Sequence, residues 1–183
     1  MTNKIFLIGF MGSGKSTIGR LLAAQLGWSF IDLDEEIVAH EQMPIEHIFA
    51  THGEPYFRAL ELALLEPLLA HEKMVVALGG GTPAQEAAWP ILQHGLTIYL
   101  RCHSDELFRR LKDDHQRPML GHMPPQDRLF HIKNLLAIRE PFYRRADFIV
   151  DSFAEHPPAE TAAIVAQLVR ESSPTEEHRN RRF

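Results

Sequence analysis

The chain has 183 residues, one cysteine and a formal net charge of −5, with 45% apolar and 23% charged residues. This length suits one domain with a sizeable core, and the acidic balance argues against a nucleic-acid surface. No apolar run approaches the span of a bilayer, a strand pattern begins at residue 4 so that no signal peptide is expected, and a lone Cys102 fits packing in a reducing, cytoplasmic compartment.

The first strand pattern, Lys4-Ile5-Phe6-Leu7-Ile8, runs into Gly9-Phe10-Met11-Gly12-Ser13-Gly14-Lys15-Ser16-Thr17, and a helical pattern covers 16–26. Gly9, Gly14, Lys15 and Ser16 satisfy Gly-x4-Gly-Lys-Ser/Thr in the strand-to-helix setting that a phosphate-binding loop needs. Glycines let successive backbone N–H groups converge on phosphate oxygens, and the helix N-terminus adds partial positive charge. Lys15 is then placed for the β- and γ-phosphates of a nucleoside triphosphate, and the Ser16 hydroxyl for Mg²⁺.

A second strand, 28–32, ends at Asp32-Leu33-Asp34, with helices expected over 34–41 and 45–52. Alternation puts both carboxylates on one side of the chain. Beside a triphosphate site, one is suited to hold the metal through water and the other to orient or deprotonate an attacking hydroxyl. Asp34 taken alone also reads as a helix cap. After Gly53-Glu54-Pro55 comes a helix over 56–71, on which Arg58 and Glu61 stand i,i+3. A guanidinium held there suits bidentate binding of a substrate carboxylate, although an isolated pair of this kind is also an ordinary surface salt bridge.

The third strand, 74–78, leads to Gly79-Gly80-Gly81, where a ligand can reach backbone amides without side-chain interference. A helix over 84–92, a strand over 96–101 and a helix over 105–113 follow. Residues 112–126 are polar and punctuated by Gly and Pro, which is the composition of a long loop or active-site lid; Arg117 on it is placed to swing onto a transferring phosphoryl group. A helix over 126–139 is expected to close around Pro141, leaving Arg139 as a second cation for an anionic substrate or as a partner of the helix dipole. A strand over 147–150 and a helix over 159–171 complete the pattern, and residues 174–183 form a polar tail with a disordered composition. No His-x3-His pair or Cys/His cluster has zinc spacing, so no structural metal is expected. Alternating β and α elements predict a three-layer α/β/α domain over 1–173 around a parallel sheet, with ligands at the carboxyl ends of the strands.

From about Lys4 to Val150 the chain resembles the shikimate kinases. The resemblance rests on the Gly-Phe-Met-Gly-Ser-Gly-Lys-Ser-Thr-Ile-Gly loop, Asp32-x-Asp34, Phe57-Arg58-x-x-Glu61, Leu78-Gly79-Gly80-Gly81, Arg117-Pro118 and Arg139-x-Pro141-x-Tyr143. It implies a fold like that of nucleoside monophosphate kinases, with a five-stranded parallel sheet, a mobile lid over about 112–126 and a substrate-binding region over about 34–61. It also implies an ATP- and Mg²⁺-dependent, monomeric enzyme of aromatic amino acid biosynthesis that phosphorylates the 3-hydroxyl of shikimate. By the same resemblance Gly12, Ser13, Gly14, Lys15, Ser16, Thr17, Arg110 and Arg117 serve ATP, with Arg110, or Arg109 beside it, at the adenine. Ser16 and Asp32 serve the metal, Asp34 the reacting hydroxyl, and Arg58, Arg139 and Gly79, Gly80 and Gly81 the bound shikimate. Thr82-Pro83 departs from the pattern, where small apolar residues are expected.

Two other readings compete. Another small-molecule P-loop kinase, for gluconate or a nucleoside monophosphate, shares the loop, but Arg58 and Arg139 favour a carboxylate acceptor. A non-catalytic nucleotide switch of the GTPase kind needs an Asp-x-x-Gly and an Asn-Lys-x-Asp, and neither occurs.

Overall fold

The computed structural model describes residues 3–111, 124–153 and 156–172. The strands are β1 (Lys4–Ile8), β2 (Ser29–Asp32), β3 (Met74–Ala77), β4 (Leu96–Arg101) and β5 (Phe148–Asp151). The helices are α1 (Lys15–Leu26), α2 (Leu33–Glu41), α3 (Ile45–Leu65), α4 (Trp89–Leu92), α5 (Ser104–Leu111), α6 (Pro125–Tyr143) and α7 (Pro158–Ser172). All strand pairings are parallel, in the order β2-β3-β1-β4-β5. The winding direction reverses beside β1, because the chain lays β2 and β3 on one side of it and then crosses to β4 and β5 on the other. In such sheets the crevice beyond the carboxyl ends at that reversal is where ligands bind.

β1 is buried along its whole length, as a central parallel strand covered on both faces must be. Its alternation divides the core. Ile5 and Leu7 face Ile18 and Leu22 of α1 and Val165 and Val169 of α7. Phe6 and Ile8 face Ile48 and Leu60 of α3, Leu107 of α5 and Ile132 of α6. Each such side chain contributes about 1.5–3 kcal/mol on burial. The three layers therefore follow from the period-2 pattern of one strand, and they agree with the architecture expected from sequence.

Differences lie at helix ends. The helices expected over 45–52 and 56–71 form one run broken at Gly53, whose φ of 79° and ψ of 171° are not helical, and residues Glu66–Ala70 tighten into a 3-10 turn. The expected helix over 84–92 is instead two 3-10 turns, Thr82–Ala84 and Glu86–Ala88, and the short α4; Pro83 and Pro90 supply no N–H for a continuous ladder. In contrast, α6 does not stop at Arg139 but passes through Pro141 to Tyr143, because a proline near the end of a helix disrupts few bonds. The expected lid over 112–126 falls largely outside the described residues, and from Pro125 onward the chain is already helical. Among the described residues no helix is long and apolar enough to cross a membrane.

Candidate functional site

Beyond the carboxyl ends of the strands lies a cavity of about 1370 Å³, and Gly12, Gly14, Lys15, Ser16, Thr17, Asp32, Asp34, Arg58, Gly79, Gly80, Gly81, Arg110 and Arg139 all line it. Ser13 is not on its wall. That residue is fully buried under the loop with its N–H donating to the Phe10 carbonyl at 3.2 Å, and its hydroxyl has no partner among the described residues. Arg117 lies outside the described residues.

The phosphate loop opens directly into α1. Gly14 is the N-cap residue at φ 93°, a conformation that glycine adopts without strain, and no side chain caps the helix. No acidic residue occupies its first turn either. The first-turn N–H groups are thus uncapped by side chains at the cavity wall, which is the arrangement an anion site requires. Lys15 Nζ donates to the carbonyls of Gly9 and Phe10, each at 2.9 Å, which holds the ammonium over the loop.

The second strand delivers the acidic pair. Asp32 caps α2: its Oδ1 accepts from the Asp34 N–H at 3.0 Å, while its Oδ2 accepts from the Ser16 hydroxyl at 2.5 Å. The capping role open to Asp34 therefore belongs to Asp32, and the Asp34 carboxylate lies beside the glycine turn. A Cβ at Gly79 would lie 2.9 Å from Asp34 Oδ1 and 2.6 Å from Glu61 Oε1, so a larger residue there would have to displace these carboxylates where they meet the turn.

The cationic side is a network. The Arg58 guanidinium donates from Nη1 to Glu61 at 2.6 Å and from Nε and Nη2 to Glu54 at 3.1 and 2.8 Å. Burial alone would lower the Arg58 pKa, but the Glu61 and Glu54 carboxylates outweigh it and the net shift is upward. Glu61 is fully buried and also accepts from Thr82 Oγ1 at 2.5 Å and Gln85 Nε2 at 2.8 Å. Its burial raises the carboxyl pKa, opposed by Arg58 and Thr82. Gly81 packs so closely under the Arg58 guanidinium that a Cβ there would overlap it. Arg139, 6% exposed, lies along Gly80 and 5.8 Å from the Phe10 ring centroid.

At the opposite end Arg110 donates from Nε to Glu106 at 2.5 Å and from Nη1 to the Gly12 carbonyl at 3.1 Å. Arg109 is mostly exposed and pairs with the same Glu106. Of the two arginines, Arg110 is the one that touches the phosphate loop.

For Mg²⁺ the fit lies in the donor set. Among the described residues no group of three Asp, Glu, His or Cys could cage a metal, but the Ser16 hydroxyl and Asp32 carboxylate stand together at the loop. Hard oxygen donors in small number, completed by phosphates and water, are how proteins commonly hold Mg²⁺.

The sequence did not reveal several members of this site. Glu54 stands at i−4 from Arg58 on α3, but the helix expected from residue 56 left it outside helical spacing. Thr82, Gln85 and Glu106 acquire their roles only when distant elements meet.

A phosphate loop on a reversing parallel sheet, sharing one cavity with the Asp34 carboxylate and the Arg58 and Arg139 guanidiniums, defines a P-loop kinase of a small molecule. The profile of the shikimate kinase family matches residues 11–171. A shikimate kinase from Thermosynechococcus vestitus is 43% identical over 143 residues, covering 78% of this chain and 76% of the relative. One from Trichormus variabilis is 38% identical over 165 residues, 90% of each chain. The solved structure of a shikimate kinase from Acinetobacter baumannii in complex with shikimate superposes with a TM-score of 0.88 at 32% identity, covering 96% of this chain and 97% of its own. The chain belongs to the shikimate kinase family.

Proposed function

We propose that this chain transfers the γ-phosphoryl group of ATP to the 3-hydroxyl of shikimate, giving shikimate 3-phosphate and ADP for aromatic amino acid biosynthesis. The observation that supports this reading is that the Asp34 carboxylate, the phosphate loop, Arg58 and Arg139 line one and the same cavity. A hydroxy acid whose carboxylate lies on the two guanidiniums presents a hydroxyl to Asp34 and, beyond it, to the phosphate end.

The uncapped N–H groups of α1 and Lys15 hold the β- and γ-phosphates and neutralise charge as it spreads over the transferring group. Asp34 accepts a hydrogen bond from the attacking hydroxyl and takes its proton as the new bond forms. Arg58, kept charged and fixed by Glu54 and Glu61, binds the carboxylate as a planar fork, and Arg139 adds the second contact. The turn Gly79, Gly80 and Gly81 lets the ring approach the backbone. Ser16, and Asp32 through water, would hold Mg²⁺, which would supply charge neutralisation at the phosphates. Arg110 serves the adenine end, and Arg117 closes over the phosphates from the lid. Each residue given a role comes from one chain, so a monomer suffices.

An ADP-release assay coupled to NADH oxidation, run with shikimate, gluconate and nucleoside monophosphates in parallel, tests the reading. ADP release should depend on shikimate. Turnover with gluconate or a nucleotide, and none with shikimate, would overturn it.

A further inference from the structure

The motif Arg139-x-Pro141-x-Tyr143 carries a tyrosine to which the reaction above gives no task. Tyr143 is fully buried, and the unexpected continuation of α6 through Pro141 brings it under the glycine turn. Its hydroxyl donates to the Gly80 carbonyl at 2.6 Å and accepts from the Arg139 side chain. Gly80 and Arg139 are also packed against each other: the Arg139 Nη1 lies 3.4 Å from where a Gly80 Cβ would stand. Burial pushes the Tyr143 phenol up to about 12, so it keeps its proton and remains a donor across the working pH range.

We propose that Tyr143 is a positioning residue of the acceptor site, whose hydroxyl ties the Gly80 carbonyl to the Arg139 guanidinium and so sets the spacing between turn and cation. This rests on the reading of the cavity as a shikimate site. A carboxylate bound by two guanidiniums needs both at fixed separation, because hydrogen bonds weaken steeply when misaligned. Arg58 is fixed by its acidic partners on α3, and Tyr143 does the corresponding work for Arg139 from the other side of the pocket. Removing only the oxygen leaves the half-buried Gly80 carbonyl and the buried Arg139 side chain without that partner, while the ring still packs against Tyr99 with centroids 5.1 Å apart.

Tyr143→Phe and Tyr99→Phe separate this role from packing. Both keep the aromatic pair and both remove a buried hydroxyl, but the Tyr99 hydroxyl donates to Glu140 and does not touch the turn. In Tyr143→Phe the KM for shikimate should rise roughly tenfold, while kcat and the KM for ATP stay within about twofold, the size expected for one lost buried hydrogen bond. Tyr99→Phe should leave the KM for shikimate unchanged. Equal losses in both variants, an equal loss for ATP, or failure of Tyr143→Phe to fold would assign Tyr143 to the core and overturn the inference. The wild-type protein in the same assay decides the functional reading independently: no shikimate-dependent ADP release there would remove that reading, whereas normal wild-type turnover with an unaltered Tyr143→Phe would remove only this inference.

Discussion

The two ends of the cavity are built by different means. The phosphate end is made by the backbone of one continuous segment, Gly9 to Thr17, together with a helix start that no side chain caps. The proposed acceptor end is instead built of side chains from α2, α3 and α6 around the glycine turn, where Glu61 holds Arg58, Thr82 holds Glu61 and Tyr143 bonds the Gly80 carbonyl. A backbone site tolerates substitution around it, since its donors are present whatever the neighbouring side chains are. A side-chain site depends on every strut, because each guanidinium or carboxylate is oriented only by its hydrogen bonds. Single side-chain changes of comparable size should therefore cost more at the acceptor end than around the phosphate loop.

The most severe break in this comparison lies where the ends meet. Asp34 faces both, and it is the only carboxylate proposed for the reacting hydroxyl. Asp34→Asn keeps the shape and removes the proton acceptor, so kcat should fall roughly 10²–10⁴-fold with little change in thermal stability. Steady-state kinetics on the folded variant check this, and near-wild-type turnover would take Asp34 out of the chemistry.

Arg58→Lys should show the fragility of the acceptor end. An ammonium cannot bond Glu54, Glu61 and a substrate carboxylate in one plane, and Glu61, already pushed up by burial, loses the partner that keeps it charged. The KM for shikimate should rise about 10–100-fold, the range for a charge-assisted hydrogen bond, with the KM for ATP nearly constant. Equal losses for the two substrates would show that the ends are not separately built.

How legible each end was in the sequence follows from the same contrast. The phosphate loop could be read because its working groups are consecutive, and Arg58–Glu61 because helical spacing makes i,i+3 residues neighbours. The sheet was equally readable: the strands expected over 4–8 and 96–101 match β1 and β4 in full, since central strands declare themselves as apolar runs. The supports were hidden. Thr82 departs from the family's pattern, yet it bonds Glu61 across 21 positions, and Tyr143 reaches Gly80 across 63. No local spacing encodes such partners. The continuation of α6 through Pro141 was missed for a related reason, since its last turn is held by packing on the glycine turn and not by propensity.

The smallest effect is expected at the phosphate end, where Glu106 supports the loop from outside it through Arg110. It gathers Arg109 and Arg110, and Arg110 in turn braces the Gly12 carbonyl. Hydrogen bonds from Arg109, then from Arg110, pull the Glu106 carboxyl from its ordinary 4.5 down to about 2, against burial. A carboxyl with a lower pKa in the folded chain than in the unfolded one holds fewer protons when folded. Its stabilisation is therefore complete above about 4.5 and is lost as pH falls toward 2. Glu106→Gln should flatten the loss of thermal stability across that acid window. At neutral pH it should raise the KM for ATP only about two- to fivefold, the scale of a partly exposed ion pair, and leave the KM for shikimate unchanged. Melting temperatures measured from pH 7 to pH 3 on both proteins decide the matter. Identical acid limbs would show that Glu106 does not anchor the arginines in solution. A rise in the KM for ATP as large as that for shikimate in Arg58→Lys would show that the phosphate end depends on its side chains as much as the acceptor end does.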